Sequence, residues 1–450
     1  MRSRLTPNSA LALAAGSTLL MVVADDAIGP VLIVMAVTLS MVGLVSLLDL
    51  ERVGRTVPVR LVVAAAAVVL GAAIFAGPHD SHDLWSYAMY GRILSVHHAS
   101  PWIVTPAHFP MDPFLVRVAS GWRHTTSIYG PVFEVIAALV TRIGGGAAGV
   151  VRVLFTSTFA ITTAATGWIV YRRTRSSAST ALVLLHPAIA VAGIAGGHND
   201  ILVGLGVLGA VVLARDDRPV AAGVAAALGT LVKLTGGIAI IAIACWGFSH
   251  HGRRWTVRFA GTALGLVALA YLPLGTSGFS AFVRNRGSIS RASAWEFPRL
   301  LTGLDHHHTA LNFGLPQSDT QLLITFGTLV MLGVITWVAI SQRARRDPAV
   351  PVIAALGGYL LFAPYVLPWY PAWVVPTIGL TARASVARLL ALQGAGLVIV
   401  YELKTQSLTG WVASGVWWVS VLGSAALCVL FFRALRSRPS TPVLTPQRAG

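Results

Sequence analysis

Apolar residues come in runs along this chain, and polar residues in short bursts between them. The runs cover residues 9–24, 29–48, 61–76, 147–171, 178–195, 201–214, 220–232, 237–248, 257–274, 322–340, 351–367, 372–380, 386–401 and 411–432. A helix needs roughly 20 apolar residues to cross the hydrocarbon core, so the pattern predicts an all-α polytopic membrane protein with about 12–14 transmembrane helices. The three shortest, 220–232, 237–248 and 372–380, fall furthest below that length and read as re-entrant or tilted segments. The first run follows MRSR with no clear small-residue cleavage site before Asp25 and Asp26, and reads as a retained helix.

Two stretches interrupt the alternation. Residues 77–127 open with GPHDSHDLWSYAMYGR and hold Asp80, Asp83, six histidines and three tryptophans. A loop that long and that aromatic is neither a simple connection nor a disordered linker, and reads as an active-site loop. Residues 128–143 are apolar around Glu134. If they crossed, RRTRSS would land on the wrong side, so they read as an interfacial helix on the outer leaflet. The expected organisation is one integral-membrane domain over residues 1–435, with the outer loop 77–127, the interfacial helix 128–143 and a second outer loop 275–320. A disordered, proline-rich cytoplasmic tail over 436–450 follows.

Charge sets the orientation. The chain is 55% hydrophobic, only 11% charged, and carries a net +17. In a soluble protein that excess would suggest nucleic acid. Here the arginines fall mostly in short loops between apolar runs, where they mark the cytoplasmic side, and nucleic-acid binding is excluded as a function. Both termini are then cytoplasmic, the protein sits in the plasma membrane, and loop 77–127 faces out. Cys245 and Cys428 both lie in apolar runs and offer no disulfide framework or metal site.

Topology gathers the remaining polar groups at the outer face: Asp80 and Asp83, the turn His198, Asn199 and Asp200, Lys233 in KLTGG, and Arg284, Arg286, Arg291 and Arg299. Outer arginines oppose the topology rule, so an anion should recruit them. A lipid-linked phosphate fits, since Arg binds phosphate bidentately and Lys adds a point charge; anionic headgroups are the competing reading. Structural alternatives stand beside the others. Asp83 would serve as a helix N-cap, the HND piece as a turn, Lys233 as a snorkelling side chain, and Trp369 and Tyr370 in LPWYPAW as interfacial belt residues. The HDSHD spacing is too loose for a metal site, and no metal is expected. A lipid-linked-sugar flippase would also use polar groups near a membrane, but transporters place them near the midplane, and here they gather at one face.

Taken in order, SHDLWSYAMYGR, SIYGPVFEVIAALV, HPAIAVAGIAGGHNDILVGLGVLG, GTLVKLTGG and LPWYPAWVVP resemble the actinobacterial polyprenol-phosphate-mannose-dependent α(1→6) mannosyltransferases of lipomannan assembly, which are integral-membrane GT-C glycosyltransferases. The resemblance runs from about Gly77 to Pro376 and departs from the family pattern in its many histidines and in MYGR. It implies a polyprenyl-phosphate mannose donor, a mannan or lipoglycan acceptor, an outward-facing site and no separate cofactor. It also implies that the acidic residue of the first outer loop is the catalytic base, which maps onto Asp83, with Asp80 as the second candidate. The expected donor-phosphate ligands are Lys233, Arg284, Arg286 and Arg152. The expected acceptor or sugar contacts are His198, Asn199, Asp200, Tyr87, Tyr129, Trp369 and Tyr370. A polyprenyl-phosphate-dependent arabinofuranosyltransferase is the alternative within the enzyme class.

Overall fold

Proline and glycine set many of the helix limits, because Pro fits the first helical turn and Gly tolerates reversals. The computed structural model describes residues 5–24, 29–77, 81–279, 289–290, 292–296, 298, 317–382, 384–405 and 410–436. Its helices are α1 (Pro7–Ala24), α2 (Pro30–Arg52), α3 (Val59–Phe75), α4 (Asp83–Ser95), α5 (Pro131–Gly144), α6 (Ala148–Thr174), α7 (Ser177–Leu184), α8 (Asp200–Arg215), α9 (Pro219–Val232), α10 (Gly237–Tyr271), α11 (Gln317–Ser341), α12 (Ala349–Phe362), α13 (Val375–Leu380), α14 (Ser385–Thr405) and α15 (Gly410–Arg436). No strand occurs among the described residues.

Among them, seven helical stretches are long and apolar enough to cross a membrane, and α3, α9 and α12 are shorter apolar helices. Large apolar side chains such as Val31, Val63, Ile161, Leu264 and Leu329 stay exposed on the bundle surface. Water would make that surface costly, whereas lipid covers it. The protein is an all-α, multi-pass membrane protein.

Several predicted runs resolve differently in detail. Helix α10 reverses at Gly252, whose φ of 77° only glycine adopts easily, so its two halves form a hairpin, with Trp246 packed edge-on against Trp255 at 5.7 Å. The run 178–195 breaks at His186–Pro187 and continues as a π-helical turn, Ala190–Ala195. The run 372–380 does not form a crossing. A 3₁₀ turn, Tyr370–Trp373, leads into α13, whose six residues reach only about 9 Å. The helix expected over 128–143 begins at Pro131, and Ser127–Gly130 is a loop. At 14 residues, α5 is too short to span; it buries Phe133, Glu134, Ala137 and Val140 and exposes Val135, Leu139 and Ile143.

The two ends of the bundle differ chemically. At one end, Arg173 pairs with Asp216, Arg215 with Asp347, and Arg388 with Asp49. Helix α8 rises from there through 16 residues, about 24 Å, to Asp200 at the other end. There the N-termini of α4 and α8 and the C-terminus of α9 meet.

Candidate active site

Asp83 is the first residue of α4, and His82 occupies the N-cap position. The aspartate therefore does not serve as the cap. His82 Nδ1 bonds to the Arg117 carbonyl at 2.9 Å. Among the described residues the Asp83 carboxylate makes no hydrogen bond, and His198 Nε2 lies 3.6 Å from Oδ2. About a quarter of the side chain remains accessible, 24%. Burial pushes its pKa up to about 6, opposed by Lys233, reinforced by the Asp200 charge and opposed again by His82.

The HND turn folds against it. Gly197 carries a φ of 73°, and the Leu84 side chain lies within 3.0 Å of where a Cβ would stand, so a side chain there would be strained and would clash. The turn delivers His198, which is buried, stacks on Trp369 with ring centroids 3.3 Å apart, and bonds through Nδ1 to the Ala192 carbonyl at 2.6 Å. Burial drives this imidazole down to about 3, against the opposing effect of that carbonyl and with a smaller push from Lys233, so it is neutral. Both side-chain atoms of the buried Asn199 lack a partner among the described residues.

Asp200 opens α8, where the helix dipole favours negative charge. Its Oδ1 accepts from Lys233 Nζ at 2.9 Å and from the Trp373 indole N–H, while Oδ2 is buried and unpartnered among the described residues. Lys233 follows the last turn of α9 and is 13% accessible. Three rings surround its ammonium: Tyr370 at 4.9 Å, Trp373 at 5.6 Å and Tyr129 at 5.8 Å to the centroids. Aromatic faces attract a cation, so the box and the carboxylate fix one positive charge beside Asp83. This is a constrained ammonium, not a snorkelling one.

Tyr129 is itself clamped. Its N–H donates to Ser127 Oγ at 3.1 Å, its carbonyl accepts from Trp102 Nε1 at 3.0 Å, and the next residue, Gly130, donates to the Val232 carbonyl at 3.0 Å. Ser127 in turn donates to Glu134, whose carboxyl burial pushes up to about 8, with the Ser127 hydroxyl opposing.

The structure thus brings together Asp83, His198, Asn199, Asp200, Lys233, Tyr129, Trp369 and Tyr370. Tyr87 lies one turn below Asp83, fully buried among Tyr129, Phe133 and Phe155, and belongs to the floor of the cluster. Arg152 goes elsewhere. Its Nη1 donates to the carbonyls of Ala76 and Gly77 at 2.5 and 2.8 Å, closing the C-terminus of α3. Asp80, Arg284, Arg286, Arg291 and Arg299, like the C-terminal tail, lie outside the described residues.

Sequence reasoning overlooked Trp373, Ser81 and the clamp of Ser127, Trp102 and Glu134. Trp373 had a readable signal: it sits three residues after Tyr370, which a 3₁₀ turn places on one face, and the two rings stack at 4.3 Å. The loop 77–127 also contains a second polar centre at Asp112. This carboxylate accepts from Arg92 Nε at 2.9 and 3.0 Å, from His97 Nε2 at 2.8 Å and from the Phe114 N–H at 2.9 Å. Burial would raise its pKa, but these partners together hold it below the usual value.

Chemically, the first cluster offers a carboxylate with raised proton affinity, a fixed cation, and buried amide and carboxylate atoms with open hydrogen-bonding capacity. A family model described as Alpha-(1->6)-mannopyranosyltransferase, N-terminal domain, matches residues 5–249. The chain belongs to that family. The match spans Asp83, the HND turn and Lys233. Among curated relatives, Alpha-(1->6)-mannopyranosyltransferase A of Corynebacterium glutamicum is 26% identical over 387 residues, covering 76% of this chain and 78% of the relative. The Mycobacterium tuberculosis protein of the same name is 25% identical over 408 residues, covering 85% and 77%. A probable alpha-(1->6)-mannopyranosyltransferase of Mycolicibacterium smegmatis is 25% identical over 348 residues, covering 67% and 62%. Both proteins named mannopyranosyltransferase A match over most of this chain, so membership in this membrane-embedded mannosyltransferase family does not rest on one segment.

Proposed function

We propose that this family member transfers mannose from polyprenyl-phosphate mannose to a mannan or lipoglycan acceptor at the outer face of the plasma membrane, with inversion. The observation that carries the reading is the pairing of a proton-hungry carboxylate, Asp83, with an ammonium held in an aromatic box, at the end of the bundle remote from the interlinked arginines. Positive charge marks the cytoplasmic end, which puts the Asp83 end outside and both termini inside. In that frame α5 lies along the outer interface, with Val135, Leu139 and Ile143 toward lipid.

The reaction balances without a separate cofactor. An acceptor hydroxyl gives its proton to Asp83 while its oxygen bonds to the anomeric carbon. The bond from that carbon to the phosphate oxygen breaks on the opposite face, and the polyprenyl phosphate leaves with its negative charge facing Lys233. A positioned base contributes ~10²- to 10⁴-fold, and a fixed cation stabilises charge on the leaving phosphate without having to reorganise. Arg284 and Arg286 are the other donor-phosphate ligands in this reading; Arg152, committed to α3, is not needed. Asn199 and the free Asp200 oxygen offer hydrogen bonds to sugar hydroxyls, and Trp369, Tyr370 and Tyr129 offer aromatic faces for the ring.

The test uses purified protein with radiolabelled polyprenyl-phosphate mannose and a short α-mannoside. The expected result is label in a longer α(1→6)-mannoside whose new linkage has the anomeric configuration opposite to the donor's. Transfer only from polyprenyl-phosphate arabinose would overturn the sugar assignment; no transfer from either donor would overturn the reaction.

A further inference from the structure

The HND turn is built so that one imidazole nitrogen faces the Asp83 carboxylate with no proton on it. The π-helical turn Ala190–Ala195 sends the Gly196 N–H to the Val191 carbonyl at 2.8 Å and the His198 N–H to the Gly193 carbonyl at 2.7 Å. Both bonds skip one residue more than an α-helix would, which releases the Ala192 carbonyl from the backbone ladder. That carbonyl is bonded to His198 Nδ1 at 2.6 Å. A carbonyl only accepts, so Nδ1 carries the hydrogen, and in the neutral ring Nε2 is a bare acceptor. The ring cannot turn away, because Trp369 stacks on it.

Two groups stand before Nε2: Ser81 Oγ at 3.1 Å and Asp83 Oδ2 at 3.6 Å. Ser81 accepts the Asp83 backbone N–H at 3.1 Å, which leaves its hydroxyl hydrogen to point at Nε2. An ionised Asp83 would face a lone pair, whereas a protonated Asp83 would find an acceptor. Hydrogen bonding to the neutral form of an acid raises its proton affinity.

We propose that His198 is a positioning residue that sets the base strength of Asp83, by accepting the hydrogen bond of the carboxyl once it has taken the acceptor's proton. This rests on the transferase reading above, in which Asp83 is the base, and replaces direct sugar binding as the role of His198. The proton moves from acceptor hydroxyl to Asp83, is held there against Nε2, and returns to water when the product leaves. His198 is not a second base, since burial strongly disfavours its imidazolium. The other groups acting on Asp83 are Lys233, which lowers its proton affinity, and Asp200, which raises it; His82 on its own segment lowers it, and the phenols of Tyr87, Tyr90, Tyr129, Tyr365 and Tyr370 are neutral near pH 7.

Two variants separate this role from packing. His198→Asn keeps an amide N–H near Nδ1 for the Ala192 carbonyl but removes the acceptor facing Asp83. Ser81→Ala removes the hydroxyl that competes for Nε2. The acid limb of kcat/KM against pH should move down by about one unit in His198→Asn, with kcat reduced about 10-fold, and should move up in Ser81→Ala. A purely structural histidine would leave both limbs in place, and that result would overturn the proposal. The second readout needs no turnover: the melting temperature against pH for each protein minus that of the same protein carrying Asp83→Asn. A raised folded pKa contributes stability below about pH 4 that is lost as pH rises through the folded value. The midpoint of that loss should move down in His198→Asn and up in Ser81→Ala. If wild type transfers no mannose yet these midpoints move, the transferase reading fails while the link between His198 and Asp83 stands; unmoved midpoints sink the link whatever the activity.

Discussion

The stretch 77–127, with α4 inside it, holds two aspartates in opposite condition, Asp112 and Asp83. Asp112 is surrounded by donors from Arg92, His97 and the Phe114 backbone, and its proton affinity is lowered. Asp83 has only the neutral His198 ring, 3.6 Å from Oδ2, and receives no hydrogen bond among the described residues, and its pKa is raised to about 6. A satisfied carboxylate holds structure together; an unsatisfied one, beside a boxed cation, retains its capacity for a ligand's proton. The same loop therefore separates scaffold from chemistry by how many hydrogen bonds each carboxylate receives.

The largest effect expected from breaking this comparison is on turnover. Asp83→Asn should cut mannose transfer by ~10²- to 10⁴-fold. Its stability should move the other way. At pH 8 the wild-type carboxylate is ionised in a site that disfavours the charge, so the amide should raise the melting temperature, and at pH 4 it should not. Asp112→Asn reverses both outcomes. It breaks a buried ion pair and leaves Arg92 without its carboxylate, at a cost of about 3–5 kcal/mol, measurable by denaturation in detergent. Transfer per folded molecule should stay within a few-fold. The Asp112 contribution is present above its unfolded pKa and is lost as pH falls through the lower folded value, so wild type should lose this stability on acidification and Asp112→Asn should not.

Next in size is Lys233→Met, which should raise KM for the lipid-phosphate donor ~10-fold by removing a charge-assisted contact. It should also move the acid limb of the pH profile upward, because Lys233 lowers the proton affinity of Asp83. The smallest expected change is Trp373→Phe. It keeps a ring over Lys233 but removes the indole donor to Asp200, worth about 1 kcal/mol, or roughly a five-fold loss in kcat/KM.

Much of this architecture was legible because membranes impose it. Apolar runs gave the helices, and polar pieces stranded among them, SHDLWSY, GGHND and KLTGG, marked where α4, α8 and α9 meet. What escaped depended on partners. Arg152 read as a free outer cation because a sequence shows charge but not the carbonyls of α3 that absorb it. Asp112 looked like an ordinary loop residue, since its three donors come from positions 92, 97 and 114. Trp373 passed as an apolar residue although its N–H carries the contact to Asp200. The release of the Ala192 carbonyl depends on a π-helical turn, which no hydrophobic period reveals.

The central claim is that transfer runs through Asp83, and the most direct measurement compares wild type, Asp83→Asn and Asp112→Asn with polyprenyl-phosphate mannose and a short α-mannoside at pH 8, each scaled to folded protein. The predicted result is a loss of at least ~10²-fold in Asp83→Asn, with Asp112→Asn near wild type. Comparable transfer by Asp83→Asn and wild type would contradict the account.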